Sequence, residues 1–237
     1  MIVKTLYSPN FSKKKRKNLN IKVIVIHYTG MQSKIVSIKR LLNPKAKVSC
    51  HYLIDRKGQV LKMVNENKVA WHAGKSRWKN FKNLNNNSIG IELVNKGHEF
   101  GYENFTKPQI TNLIKLCKLL KKKFKIKSSN IVGHSDIAPF RKLDPGEKFP
   151  WHKLNKSKLG IWHQPISFNY KIEKKKIHYL FFKNLFKIGY RYFDLKKRGK
   201  KDSIIVKAFQ RHFLQNKVTG KIDRKTLRIS HFLANKL

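Results

Sequence analysis

The chain has 237 residues, 40% of them hydrophobic and 11% aromatic, with 55 Lys and Arg against 12 Asp and Glu. This length suits one sizeable domain plus a small one, and the apolar content excludes wholesale disorder despite a formal net charge of +43. Such a charge attracts polyanions, so nucleic acid, anionic lipid and an anionic cell-wall polymer are all compatible partners, as is a lysine bias with no partner at all.

The N-terminal stretch MIVKTLYSPNFSKKKRKNLN has its basic run after its apolar residues and lacks the apolar core of a signal peptide. No stretch of the chain approaches the roughly 20 apolar residues of a membrane span. We therefore expect no transmembrane segment and see no export signal. Cys50 and Cys117 are too few and too far apart for a disulfide scaffold or a cysteine zinc site.

Three segments in the first hundred residues have the pattern of β-strands. IKVIVIHYTG (21–30) is a continuous β-branched run with His27 at its carboxyl end, which is typical of a strand buried on both faces. VSCHYLIDRKGQVLKMV (48–64) predicts two strands around a turn. NSIGIELVN (87–95) predicts a short apolar strand that carries Glu92.

From Thr106 the apolar period changes to that of a helix. The residues at helical spacing are Ile110, Leu113, Ile114, Cys117, Leu120 and Phe124. Thr106 and Gln109 form a capping box, so one long amphipathic helix is predicted. Its lysines, at 115, 118, 121, 122 and 123, form a solvated face or a surface for a polyanion. NIVGHSD then predicts a strand ending at His134, followed by a loop.

The last third of the chain has a different character. Residues 153–172 contain Lys, Ser and Pro without a clear period and are predicted to be a linker. Residues 173–237 are predicted to form short helices, one with an apolar stripe after Asp202 and another with Asp223 as its N-cap. The chain is therefore divided into an α/β domain at 1–152, the linker, and a small helical domain.

A catalytic zinc site uses three protein ligands, with His and Asp among the suitable side chains, and leaves a fourth position open. His27 and His134 lie at predicted strand ends, and Asp144 lies on the loop after His134. These three side chains converge at one sheet edge if the strands are neighbours. The alternative from composition alone is that they are ordinary surface or loop-capping residues.

Five ordered blocks add a family resemblance to this pattern: VIVIHYTG, VSCHYLIDRKGQV, VAWHAGKSRW, NSIGIELVN and GHSDIAPFRKLDPGEKFPW. Together, over roughly residues 20–152, they resemble the zinc-dependent N-acetylmuramoyl-L-alanine amidases of the amidase-2 type, the class that includes the AmpD and AmiD enzymes. The later segments LFKIGY, IIVKAFQRHF and TGKIDRKTL look like a three-helix peptidoglycan-binding domain. The resemblance implies an α/β fold with a mixed β-sheet flanked by helices, plus a small C-terminal three-helix domain at 173–237.

The resemblance also implies roles for individual residues. His27, His134 and Asp144 become zinc ligands, Glu92 the general base that activates the attacking water, and Lys142 the cation that stabilises the oxyanion. The implied reaction is hydrolysis of the amide between N-acetylmuramic acid, or its anhydro form, and L-alanine of the peptidoglycan stem peptide. This activity serves cell-wall remodelling or muropeptide recycling.

Further candidates surround these five. Trp71 and His72 of the block VAWHAGKSRW are predicted to shape the substrate groove, and Arg77 to meet a stem-peptide carboxylate unless it is simply solvated. His51 is predicted to be structural, hydrogen-bonded near the site. Asp136 is predicted to have a capping or turn role rather than to bind metal.

Two other function classes stay open at this point. A non-catalytic peptidoglycan-recognition protein shares the fold, although retention of the implied ligands, Glu92 and Lys142 argues against it. A nucleic-acid-binding protein is suggested by charge alone, without a nucleic-acid motif, so no specific nucleic-acid partner is expected. The expected partner is peptidoglycan or a muropeptide, and the protein is expected to be a monomer. The expected location is bacterial, either cytoplasmic or periplasmic and associated with the outer membrane.

Overall fold

The fold is built on a six-stranded mixed sheet, seen in a computed structural model that describes residues 2–13, 16–164 and 176–237. The strands are β1 (Val3–Thr5), β2 (Phe11–Ser12), β3 (Val23–Tyr28), β4 (Tyr52–Ile54), β5 (Val60–Lys62), β6 (Val69–Ala70), β7 (Arg77–Trp78), β8 (Phe81–Lys82), β9 (Ser88–Leu93) and β10 (Ile131–Gly133). The helices are α1 (Lys34–Leu42), α2 (Lys107–Lys123), α3 (His134–Ile137), α4 (Trp151–Lys156), α5 (Ile177–Ile188), α6 (Asp202–Phe213) and α7 (Arg224–Asn235). The predicted α/β fold with a mixed sheet and flanking helices is confirmed.

The sheet has the order β1-β5-β4-β9-β3-β10, in which only β4 and β5 pair antiparallel. This antiparallel pair is the predicted hairpin of residues 48–64. Parallel pairing of β3 with both β9 and β10 brings the carboxyl ends of three strands to one edge. Two small antiparallel pairs, β2 with β6 and β7 with β8, lie outside the main sheet.

Helix α2 covers one face of the sheet. Its N-terminus is closed by the predicted capping box, in which the Thr106 side chain accepts from the Gln109 N–H and the Gln109 side chain accepts from the Thr106 N–H. The buried apolar residues of its inner side are Ile110, Leu113, Leu116, Cys117 and Leu120. Its lysines point away from this face, so the predicted amphipathic helix is confirmed.

The C-terminal helices cover the other face. Alternate residues of β3 enter different cores: Ile24 and Ile26 share a cluster with α2, whereas Val23 and Val25 share one with α5, α6 and α7. Asp223 caps α7, accepting from the Thr226 N–H at 2.7 Å, as predicted. The helical domain therefore packs against the sheet as a second flanking layer.

The segment predicted as a linker is folded in its first part. Helix α4 extends into it as far as Lys156, Leu154 and Leu159 are buried, and both leucines join the core beneath α2. Residues 165–172 of the predicted linker lie outside the described residues. None of the described helices is both long and apolar enough to cross a membrane.

Candidate active site

Four of the candidate residues meet at the carboxyl ends of three neighbouring strands. His27 near the end of β3 stands beside Glu92 of β9 in register, and His134 follows directly after β10. Asp144 returns to this edge on the loop beyond α3, where its carbonyl accepts from the Ser135 N–H at 2.8 Å. Side chains from distant segments meet here because parallel strands end together.

Three potential ligand atoms form a nearly equilateral triangle. Asp144 Oδ2 lies 2.9 Å from His27 Nδ1 and 3.1 Å from His134 Nδ1, and the two Nδ1 atoms are 3.0 Å apart. All three residues are buried. Three such ligand atoms this close together could hold a metal ion.

The contacts of the Nε2 atoms of His27 and His134 indicate which nitrogen of each ring carries the proton. His134 Nε2 lies 3.3 Å from the Ala73 carbonyl, which can only accept, so in the neutral ring the proton is on Nε2 and Nδ1 offers a lone pair. His27 Nε2 lies 3.0 Å from His72 Nδ1, and donation to that atom leaves His27 Nδ1 bare as well. Two nitrogen lone pairs and a carboxylate oxygen then face one another, which is a donor arrangement suited to a cation.

Electrostatics favour a neutral His27 and an ionised Asp144. Burial, followed by the neighbouring His134, lowers the pKa of His27 to about 4. Burial alone would raise the pKa of Asp144, but its contacts with His134 and His27 outweigh burial and hold that pKa far below its usual range. Two neutral imidazoles with one carboxylate are a ligand set that suits zinc, so the residues present fit this metal.

His72 contacts His27, and its ring occupies the space beside Gly90 of β9. Its ring lies edge-on to His27, and its Nε2 is 3.2 Å from Ser88 Oγ. A Cβ at Gly90 would come within 2.4 Å of the His72 ring. The glycine of the segment IGIE therefore leaves space for the side chain that orients a ligand.

Glu92 is a half-buried acid with one enclosed, unsatisfied oxygen. Its Oε2 is covered and has no hydrogen-bond partner among the described residues, although other parts of the side chain border a cavity. Burial, followed by the charge of Asp144, raises the pKa of Glu92 well above its usual value, with the Lys142 ammonium acting in the opposite direction. A carboxylate with a raised pKa binds a proton more readily than an ordinary glutamate does.

A cavity of about 410 Å³ borders Glu92 and the candidate metal ligands. Its walls include His27, His72, Glu92, His134, Lys142 and Asp144. Lys142 is exposed and approaches from the loop that leads to Asp144. The candidate metal ligands, the Glu92 side chain and the Lys142 ammonium therefore border one cavity.

Three other candidates are placed differently. Trp71 and Arg77 are not among the described residues that line this cavity, and Arg77 is exposed on β7. His51 is fully buried and accepts from the Gly90 N–H at 3.0 Å, outside the metal-binding triangle. Its predicted structural role next to the site is confirmed.

The cavity rim contains residues that the motifs did not indicate. Tyr28 O–H lies 2.8 Å from His98 Nδ1, and both line the cavity. Arg141 also lines it while donating to the Ala73 and Lys75 carbonyls. Tyr28 adjoins His27 in sequence, and Arg141 lies in the block GHSDIAPFRKLDPG, so both could have been proposed, whereas nothing in the sequence singles out His98.

Comparison with known proteins agrees with this geometry. The Amidase_2 family model, described as N-acetylmuramoyl-L-alanine amidase, matches residues 17–147. The chain is 35% identical over 232 residues to the N-acetylmuramoyl-L-alanine amidase AmiD of Escherichia coli K12, covering 91% of this chain and 83% of AmiD. It is 34% identical over 166 residues to the 1,6-anhydro-N-acetylmuramyl-L-alanine amidase AmpD of Haemophilus influenzae, covering 62% of this chain and 88% of that protein.

The fold has a solved counterpart over nearly its whole length. The structure of E. coli AmiD in complex with its substrate anhydro-N-acetylmuramic acid-L-Ala-D-gamma-Glu-L-Lys superposes with a TM-score of 0.77 at 31% identity. The match covers 95% of this chain and 92% of that one, so it includes the C-terminal helices.

Proposed function

The chain belongs to the family of N-acetylmuramoyl-L-alanine amidases, and from this premise we propose how its own residues perform the reaction. The enzyme hydrolyses the amide between the lactyl carbonyl of N-acetylmuramic acid, or of its anhydro form, and the nitrogen of L-alanine. We assign the metal site to His27, His134 and Asp144. The observation that carries this assignment is the triangle of ligand atoms 2.9 to 3.1 Å apart on the cavity floor.

His27, His134 and Asp144 would hold a zinc ion, which would supply Lewis acidity for the activation of water and the polarisation of a carbonyl. The protein's task is to keep its ligands bare and oriented. The Ala73 carbonyl does this for His134, and His72 does it for His27. Both contacts fix the ring through the nitrogen that faces away from the cavity.

Glu92 is the proposed proton carrier. Its carboxylate takes a proton from the attacking water as the new C–O bond forms, and donates it to the alanine nitrogen as the C–N bond breaks. The raised pKa matches this double role, because the group must hold the proton between the two steps. The products are a muramic acid with a free lactyl carboxylate and a stem peptide with a free L-alanine amine.

Lys142 is the proposed partner of the negative charge that develops on the carbonyl oxygen. It reaches the same cavity from the exposed loop and acts electrostatically on both Glu92 and His27. A cation placed at the rim can approach the substrate without binding the carboxylate of Asp144, which the histidines already engage.

We further propose that residues 1–152 carry the chemistry and that the helical domain at 173–237 contacts the cell wall. The catalytic groups all come from the first of these parts, so a monomer has a complete site. AmpD of H. influenzae is named for 1,6-anhydro substrates, and AmiD was solved with one, which supports an anhydro-muropeptide as a substrate here.

The decisive experiment is mass spectrometry of the products from purified peptidoglycan and from an anhydro-muropeptide. We expect free stem peptides beginning with L-alanine, lost on treatment with a chelator and restored by zinc. The preferred substrate then separates wall remodelling from muropeptide recycling. Binding to peptidoglycan without release of stem peptides would contradict the catalytic roles and identify a recognition protein instead.

A further inference from the structure

The loop that carries two proposed metal ligands is fastened to the C-terminal helices by a buried carboxylate. Asp136 lies in the single turn of α3, between His134 and Asp144, and is only 1% exposed. It does not belong to the metal-binding triangle. It faces away from the cavity, toward α6 and the segment after α5.

Both oxygens of Asp136 are engaged by donors. The Gly133 N–H donates to Oδ2 at 2.7 Å, which is the predicted capping role. His212 Nδ1 lies 2.7 Å from the same oxygen, and the Tyr190 hydroxyl donates to Oδ1 at 2.5 Å. Two of the three donors therefore come from the helical domain.

Aromatic packing from both parts of the chain surrounds these two donors. The His212 ring is stacked between Trp151 and Phe213, with centroids at 3.8 and 3.9 Å and interplanar angles of 13°. The Tyr190 ring is fully buried and packs edge-on against Trp78 at 5.1 Å. Neither side chain can leave Asp136 without disrupting this packing.

Asp136 in turn determines where the ligands stand. The Ala138 N–H donates to the His134 carbonyl at 2.9 Å, and the Ser135 N–H donates to the Asp144 carbonyl at 2.8 Å. The turn that contains Asp136 thus connects directly to the backbone of both ligands. A shift of this turn moves His134 and Asp144 relative to His27, which lies on a different strand.

Adhesion alone does not require a carboxylate at this position. Apolar residues of matching shape hold buried interfaces together at least as well as buried charged groups, because the latter must be desolvated. The same interface already has an apolar cluster that includes Val25, Ile137 and Phe209. A fully hydrogen-bonded acid adds direction, which is what the placement of metal ligands needs.

We propose that the helical domain is part of the metal site: Tyr190 and His212 act as positioning residues, which hold Asp136 and through it the two ligands. This inference rests on the proposed metal site. It gives the C-terminal domain a role inside the catalytic unit, in addition to any contact with the cell wall.

The test measures zinc affinity of the full-length protein by competition with a chromogenic chelator. Tyr190→Phe deletes one hydroxyl, and His212→Phe keeps the stacked ring while removing the donor to Asp136. The matched control is Tyr52→Phe, because the Tyr52 hydroxyl also donates to a carboxylate, that of Glu66, in a part of the sheet away from the ligands. The visible absorption of the Co²⁺-loaded proteins reports the ligand geometry independently of turnover.

We expect zinc binding to weaken about tenfold or more in Tyr190→Phe and His212→Phe, with an altered Co²⁺ spectrum, since outer contacts of a metal site typically have this effect. Tyr52→Phe should bind zinc like the wild type. If both interface variants keep wild-type zinc affinity and Co²⁺ spectrum, even with lower thermal stability, the contact is only structural and the inference fails. Failure of the wild-type protein to bind zinc would instead overturn the metal site itself.

Discussion

Two acids of this basic chain each have an enclosed carboxylate oxygen, but in opposite surroundings. Asp136, at the junction with the C-terminal helices, has a hydrogen-bond donor at each oxygen. Glu92, at the cavity, has an oxygen that is enclosed and without a partner among the described residues. A satisfied buried acid stabilises one arrangement of the chain, whereas an unsatisfied one is costly unless a ligand or water completes it.

The difference predicts that the two acids respond oppositely to removal of their charge. Neutralising Glu92 should affect turnover and leave the fold intact. Neutralising Asp136 should weaken the fold and, through the loop, the metal site. Catalysis is thus assigned to Glu92 and stability to Asp136, although both acids lie near the same edge of the sheet.

The largest effect is expected for Glu92→Gln. The amide cannot accept the proton of the attacking water, so kcat should fall by about 10² to 10⁴-fold, the usual contribution of a general acid or base. Zinc content, measured by elemental analysis, should equal that of the wild type because Glu92 is not a member of the ligand triangle. A variant with near-wild-type kcat would remove Glu92 from the reaction.

Asp136→Asn should have the largest effect on stability. The amide offers an N–H toward donors that need an acceptor, so the free energy of unfolding should fall by about 3 kcal/mol, as when one partner of a buried pair is lost. Asp223→Asn makes the same chemical change at a helix N-cap, where Asn caps as well as Asp, and should cost little. Equal losses in denaturant titrations of the two variants would contradict the special role of Asp136.

Gly90→Ala tests the histidine that supports His27. The added Cβ would meet the His72 ring at 2.4 Å, so overpacking should cost about 1 to 3 kcal/mol and weaken zinc binding by displacing His72. Gly199→Ala is the control, because the nearest atom to its added Cβ lies 4.0 Å away. Unchanged zinc affinity in Gly90→Ala would show that His72 does not orient the ligand.

Much of this organisation could be predicted from the sequence. The β-branched run with His27 and the apolar period after Thr106 indicated a buried strand and an amphipathic helix, because side-chain periodicity reflects which face is buried. The ordered blocks indicated the family and the candidate residues. The site residues could be predicted because each is of a type that the reaction requires and lies within one of these blocks.

What the sequence could not predict depends on tertiary contacts. The apolar stripe of Ile205, Ala208 and Phe209 predicted a helix, but a stripe does not tell which surface it will cover, and it packs into the cluster that also contains Val23 and Val25. No sequence motif singles out His212, which lies on α6 in contact with Asp136. The weak period after residue 152 likewise concealed the burial of Leu154 and Leu159.

The smallest expected effect is a pH dependence that isolates Glu92. In the metal-free protein its pKa is raised above the unfolded value, so the group favours the folded state at low pH and this contribution is lost as pH rises through the folded pKa. The wild type should therefore lose up to about 1.4 kcal/mol per pH unit relative to Glu92→Gln in that range. Unfolding titrations of both proteins with a chelator measure this difference.

Other titrating groups are shared by the two proteins and cancel in the subtraction, except where they couple to Glu92. Parallel pH profiles of the wild type and Glu92→Gln would mean that water or a neighbour already satisfies the enclosed oxygen of Glu92. Glu92 would then be satisfied in the folded protein, as Asp136 is. The assignment of proton transfer to Glu92 would rest on the loss of kcat in Glu92→Gln alone.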